Sequence, residues 1–327
     1  MIKVGILGAG TMGGMHAGCY SQIPDVKVVA IADRRRDAVQ KVAEPLGAEV
    51  FEEADELIEK ADVDIIDVCM PTPFHKEFVI KAARSGRHVF CEKPLALSVQ
   101  DGEEMIEACD RAGVKFMVGH VLRYFHEYVA IKRQIDAGAI GRPAVIRASR
   151  CASQPVGWQD WYKKREMSGG VCLDLIIHDF DFLRWCFGDV ERVFARGAMY
   201  DREIPVDYAL VTLRFKNGVI AHVEGSWAHS GFFTTFEAAG SEGLIYFDSR
   251  TSSPIRIFVK TQEEGKAAVE VPESPVNVSP YFMEIDHFVG CVRDDREPEI
   301  TGQDALEAIR IGIAALESIK TGKPVTL

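Results

Sequence analysis

The sequence predicts an α/β protein in two parts: a doubly wound parallel sheet, then an α+β domain with a largely antiparallel open sheet. Three observations carry this. Up to residue 120, short apolar runs alternate with amphipathic stretches. The first run, Ile2 to Leu7, enters a G-x-G-x-x-G turn at Gly8, Gly10 and Gly13, and a second, Val26 to Ala32, ends on Asp33. After about Tyr124 the rhythm changes to period-two runs with few helices between them. With 327 residues the chain is long enough for two domains with separate cores. We place them at residues 1–122 and 123–327.

The first-domain strands are read at 2–7, 26–32, 49–51, 64–69, 87–91 and 115–119. Near-continuous apolar strands alternating with helices mean a parallel sheet covered on both faces. The helices include Arg36 to Leu46, Phe74 to Ser85 and Ser98 to Ala112. Ser98 to Asp101 resembles a capping box with Asp in place of Glu or Gln. In the second domain a helix over 126–137 leads to an extended segment, 144–152, and a helical stretch from Asp174 to Phe187. Strands follow at 190–198, 208–215, 219–227, 234–239, 244–247 and 255–259, with a hairpin signal at Lys216-Asn217-Gly218. Helices over 281–292 and 302–320 close the chain, with Gly322 and Pro324 as stop signals. No repeat or flexible linker interrupts it, so two tightly joined domains with a cleft between them are expected.

The glycine turn has a physical reading in dinucleotide binding. Gly8 permits the tight turn, Gly10 lets a pyrophosphate approach the backbone, and Gly13 lets the next helix sit close to the strand. The pyrophosphate would rest on the amino end of the helix starting near Thr11 and Met12. Asp33, twenty positions beyond Gly13, can accept hydrogen bonds from the ribose hydroxyls. Its charge repels a ribose 2′-phosphate and favours NAD. Arg34, Arg35 and Arg36 could attract one and leave NADP open.

In open parallel sheets the ligand lies outside the carboxyl ends of the strands. After the fourth strand comes Met70-Pro71-Thr72-Pro73-Phe74-His75, and after the fifth Cys91-Glu92-Lys93-Pro94. The two prolines around Thr72 stiffen a loop on the nicotinamide side. Lys93 follows a buried strand and precedes a proline, so its ammonium could point into the cleft. A second constellation runs from Gly169 to Asp181. Asp174 and His178 are four apart, and His178 and Asp181 three, so on a helix they share one side. A carboxylate beside a histidine fixes its tautomer and supports a general base. Two other readings are a metal site, for which further ligands are lacking, and a buried structural pair.

Composition excludes several classes. A net charge of −11 repels phosphates and argues against nonspecific nucleic-acid or anionic-membrane binding. The eight cysteines include no C-x-x-C pair, and Cys69 and Cys91 end apolar runs, which reads as a reducing compartment. The amino-terminal apolar stretch is a first strand rather than a signal peptide, and no run approaches the roughly 20 residues of a membrane span. A cytoplasmic protein is expected.

Gly8/Gly10/Gly13, Glu92-Lys93-Pro94 and Asp174-x-x-x-His178, in this order, resemble the glucose–fructose oxidoreductase, inositol dehydrogenase and rhizopine-catabolism family, Gfo/Idh/MocA. The resemblance covers essentially the whole chain. It implies a Rossmann domain followed by a domain whose open sheet packs face to face in oligomers, here a homodimer or homotetramer. It implies that Lys93, Asp174 and His178 are the catalytic lysine, aspartate and histidine. The expected activity is NAD(P)-dependent oxidation of a secondary hydroxyl on a sugar or inositol-like polyol. Gly8, Gly10, Thr11, Met12, Gly13, Asp33, Arg34, Pro71, Thr72, His75, Glu92 and Lys93 are the expected cofactor contacts, with no metal. Arg123, Trp158, Trp161, Tyr162 and Tyr281 are candidates for the substrate. Phe74 stands where an asparagine is common, and Ile176 where a glycine is frequent; both leave substrate identity open. The resemblance also allows a glycosidase that uses NAD transiently, and the fold a non-catalytic cofactor sensor.

Overall fold

The computed structural model describes residues 1–198, 207–251 and 278–327 in full, and the backbone of 255–259. Contacts divide the chain into two compact units, residues 1–121 with 278–309, and residues 122–277 with 310–327.

In the first unit β1 (Ile2–Leu7), β2 (Val26–Ala32), β3 (Glu49–Phe51), β4 (Ile65–Val68), β5 (His88–Glu92) and β6 (Phe116–Gly119) form one parallel sheet in the order β3-β2-β1-β4-β5-β6. The intervening helices are α1 (Thr11–Tyr20), α2 (Arg36–Ala43), α3 (Ala54–Lys60), α4 (His75–Arg84) and α5 (Val99–Ala112). All six strands were anticipated within one or two residues. They were legible because a strand covered on both faces must be apolar throughout; all four residues of β4 are buried. The strand order reverses at β1 and β4, which run in register from Val4–Ile65 to Leu7–Val68. At that switch point the carboxyl ends of the strands leave a crevice. Ser98 caps α5, its Oγ accepting from the Asp101 N–H at 3.1 Å.

The second unit opens with α6 (His126–Asp136), β7 (Pro143–Ser153), a short α7 (Arg165–Ser168) and α8 (Ile177–Phe187). Then come β8 (Val190–Ala198), β9 (Tyr208–Phe215), β10 (Ile220–Ser226), β11 (Ala228–Gly240), β12 (Gly243–Asp248) and β13 (Ile255–Val259). The chain ends with α9 (Pro280–Arg293), α10 (Gly302–Thr321) and β14 (Val325–Thr326). The eight strands order as β13-β12-β11-β7-β10-β9-β8-β14, antiparallel except for the β7–β10 pair. One face is the core side: Ala209, Val211, Leu213 and Phe215 of β9 are fully buried. At Gly225 of β10 a Cβ would lie 2.6 Å from Ile176, so glycine there admits the segment leading into α8.

Three expectations are corrected. The helix expected from Asp174 begins at Ile177, after a π turn over Val171–Leu175. The chain enters that turn through Gly169 and Gly170, both with positive φ. β11 is longer than expected, and the two-residue β14 carries no readable sequence signal. Residues 278–309, assigned from sequence to a second domain of 123–327, group instead with the first unit. There α9 packs on α1, and Leu306 and Ile309 of α10 reach Gly102 of α5.

Candidate active site

The glycine turn separates into positions that the fold requires and one that it does not. Gly8 has φ +101°, and a Cβ there would lie 2.5 Å from the Cys69 carbonyl oxygen. A Cβ at Gly13 would lie 1.8 Å from the Gly8 carbonyl oxygen. At Gly10, which has an ordinary φ of −79°, a Cβ would meet nothing nearer than Arg35 Nη2 at 3.7 Å. No packing demand accounts for glycine at position 10. The space suits a group that approaches the backbone, as a pyrophosphate would, and α1 begins there at Thr11 and Met12 without a side-chain cap.

Asp33 ends β2 beside this turn. Its Oδ2 accepts from the Ala9 N–H at 2.8 Å, and Arg35 donates Nε to Oδ1 at 3.0 Å and Nη2 to Oδ2 at 2.7 Å. Burial opposes its charge, but the bonds from Arg35 and from the backbone outweigh it and hold the carboxyl below its usual range. Arg34, expected at the cofactor, points to Glu53 at 2.8 Å and is largely exposed. The arginine at the glycine turn is Arg35.

Beyond β4, Pro71 leads into a single 3-10 turn, Thr72–Phe74, with Thr72 buried. The His75 ring, expected at the cofactor, is buried, with Nδ1 2.9 Å from the Pro94 carbonyl oxygen and Nε2 2.8 Å from that of Met70, and so lies between the two strand-end loops. Burial pulls its pKa below the ordinary value.

Glu92 ends β5, buried, and its Oε2 accepts from the Lys93 N–H at 3.0 Å. Lys93 is half-buried, and the Lys93–Pro94 peptide is cis. Beneath Glu92 lies a group that sequence reasoning missed. His16 of α1 is fully buried, with Nδ1 2.9 Å from Asp67 Oδ2 and Nε2 3.1 Å from Glu92 Oε1. The signal was present, since Asp67 interrupts an otherwise apolar strand, Ile65-Ile66-Asp67-Val68. Ligand-type atoms of His16, Asp67 and Cys69 fall within 4.8 Å of one another. Their separations of 2.9 and 3.2 Å from His16 Nδ1 are hydrogen-bonding distances, so the trio satisfies itself without an ion.

In the second unit, Asp207 Oδ2 accepts from the Val171 N–H at 3.0 Å and fixes the start of the π turn. Burial raises the Asp207 pKa. Asp174 sits in that turn, buried, and His178 one residue into α8, half-buried. They do not share one continuous α-helix, so simple i,i+4 spacing does not describe the pair. π turns inserted at helices recur at functional sites.

Asp181 and Arg123 are spoken for. Arg123 Nε donates to Asp181 Oδ2 at 2.8 Å and Nη2 to Oδ1 at 2.5 Å, with both side chains buried and Trp185 against the guanidinium. Arg123, read from sequence as a substrate contact, is therefore an internal brace. Arg150 and Asp179 form a second buried pair with Tyr128. Trp158, Trp161 and Tyr162 lie in one short segment kinked at Gln159 and Asp160, with the Trp161 and Tyr162 rings tilted against each other at 4.0 Å. Ser168 Oγ bonds the Tyr162 carbonyl at 2.9 Å and accepts from the Gly170 N–H at 3.1 Å, which ties these aromatics to the turn carrying Asp174. Tyr281 lies on α9, in the first unit.

Comparison with known proteins agrees with this layout. Residues 2–120 match the profile of an oxidoreductase family with an NAD-binding Rossmann fold, and 128–246 the GFO/IDH/MocA C-terminal domain. The chain is 34% identical to a myo-inositol 2-dehydrogenase of Thermotoga maritima, covering 100% of this chain and 98% of that one. It is 31% identical to an NAD-dependent scyllo-inositol 2-dehydrogenase of Bacillus subtilis, covering 100% and 96%. A crystal structure of a probable dehydrogenase from Thermotoga maritima superposes with a TM-score of 0.84 at 32% identity, over 99% and 98% of the two chains. A levoglucosan dehydrogenase solved with NADH and L-sorbose shares the fold, with a TM-score of 0.88 at 22% identity over 99% and 98%.

Proposed function

Since the chain belongs to the GFO/IDH/MocA family of NAD-binding oxidoreductases, we propose that it oxidises a secondary hydroxyl of an inositol-like polyol or a sugar. The observation that carries this reading is the full-length match to two inositol dehydrogenases. Three features of the chain support it: the open position at Gly10, the acceptor at Asp33, and Lys93 at the end of β5.

NAD supplies the hydride acceptor. Gly10 and the first residues of α1 receive the pyrophosphate, and Asp33 accepts from the ribose, with Arg35 as its standing partner. Asp33 keeps NAD ahead of NADP by charge. Lys93 donates a hydrogen bond to the reacting oxygen and stabilises its developing negative charge. His178 accepts the hydroxyl proton, and Asp174 supports the imidazolium that forms. Trp158, Trp161 and Tyr162 offer an amphipathic surface to a polyol ring. Among the described residues no helix is long and apolar enough to cross a membrane. The protein works in the cytoplasm as a homodimer or homotetramer built on the second-unit sheet.

The purified protein with NAD and a panel of inositols, aldoses and sugar acids tests the reading. It predicts one NADH per ketone formed on at least one inositol or sugar. Sugar release without net NADH would identify a glycosidase with transient redox chemistry. NAD binding without turnover on any member would favour a cofactor sensor.

A further inference from the structure

We infer that His16 is a positioning residue for Lys93, acting through Glu92. The inference rests on the reading of Lys93 given above and adds a residue to which that reading assigns no role.

His16 and Asp67 are fully buried, and Glu92 nearly so. Buried carboxylates persist only when paired. The imidazole supplies the pairing on both sides, Nδ1 to Asp67 at 2.9 Å and Nε2 to Glu92 at 3.1 Å, the second contact lying off the ideal hydrogen-bond line. A ring with an acid at each nitrogen is best satisfied with a proton on both. Burial opposes that charge, but Cys69 and Asp67 outweigh it and raise the His16 pKa well above its ordinary value. Glu92 responds in the other direction. Burial works against its charge, and His16 together with the Lys93 N–H holds it below the usual range.

The consequence falls on Lys93. Glu92 is held at one oxygen by His16 and at the other by the Lys93 N–H, so the peptide plane before the lysine is fixed. On the far side His75 holds the Pro94 carbonyl. The Phe90 ring meets His16 edge to face at 5.4 Å and limits its tilt. His16 itself rides on α1, whose place is set by the contact of Gly13 with Gly8. The helix that begins at the glycine turn and the lysine at the end of β5 therefore share one side chain. Without His16, Glu92 would lose its partner at Oε1 and would be held less firmly as an anion against the Lys93 N–H.

A double-mutant cycle in the full-length protein tests this, with His16→Gln, Glu92→Gln and the pair, assayed on the best substrate of the panel. We expect each single change to lower kcat by about tenfold or more, while the Kd for NAD of His16→Gln stays within about threefold. The double variant should lose no more than the worse single one, because both act along one path. Multiplying effects would overturn the inference, since they would mean independent roles. If His16→Gln does not fold, the near-isosteric Glu92→Gln decides alone: an unchanged kcat overturns the inference. Lys93→Met is assayed alongside. Loss of kcat there with Glu92→Gln unaffected refutes only the role of His16, whereas retained kcat in Lys93→Met overturns the reading of the lysine and this inference with it.

Discussion

A methyl group at position 13 would sit 1.8 Å from the Gly8 carbonyl oxygen, whereas one at position 10 would have 3.7 Å of clearance. Two glycines of the same motif thus have different reasons to exist. Gly13→Ala should destabilise the protein by about 1–3 kcal/mol or more, as overpacking against backbone does, and lower the melting temperature. Gly10→Ala should melt as the parent does but bind NAD about tenfold or more weakly, near 1.4 kcal/mol. Calorimetric titration beside thermal melts checks both; an unchanged NAD affinity in Gly10→Ala would mean that the pyrophosphate does not approach there. At this scale the sequence reveals residues whose role depends on local backbone, such as the three glycines and Asp33. It does not reveal partners. His75, Arg123 and Arg34 look available as letters, yet carbonyls, Asp181 and Glu53 occupy them. His16 stayed hidden because both of its acids come from distant strands.

Elements with a strong period were legible, and the segment misread as the start of α8 lacks it. Strand β9 alternates buried Val211 and Leu213 with exposed Leu210 and Arg214, a plain period of two. The Val171–Leu175 π turn has the composition of a helix, and nothing in its letters marks the extra residue. Among the described residues the outer face of the second-unit sheet is mixed: exposed Leu210 and Ile220 lie on it with Arg147, Glu237 and Arg214. Such a face combines apolar anchors with charges that set register, which suits a self-complementary contact. Sedimentation at micromolar concentration should show a dimer or tetramer, and Leu210→Glu with Ile220→Glu should shift it to monomer. A monomeric parent would refute association through this sheet.

For the molecule as a whole, the two-part architecture was readable from the change of rhythm near Tyr124, but the return of residues 278–309 to the first unit was not. Which core a late helix joins is decided by long-range packing, here α9 on α1, and no local pattern encodes it. In the proposed mechanism His178 takes the hydroxyl proton during hydride transfer. The most direct test is the kcat of folded His178→Ala on the true substrate, with NAD affinity measured on the same sample. The expected result is a loss of about 10²-fold or more in kcat with NAD binding little changed. Folded His178→Ala that binds NAD and turns over at a near-normal rate would contradict it.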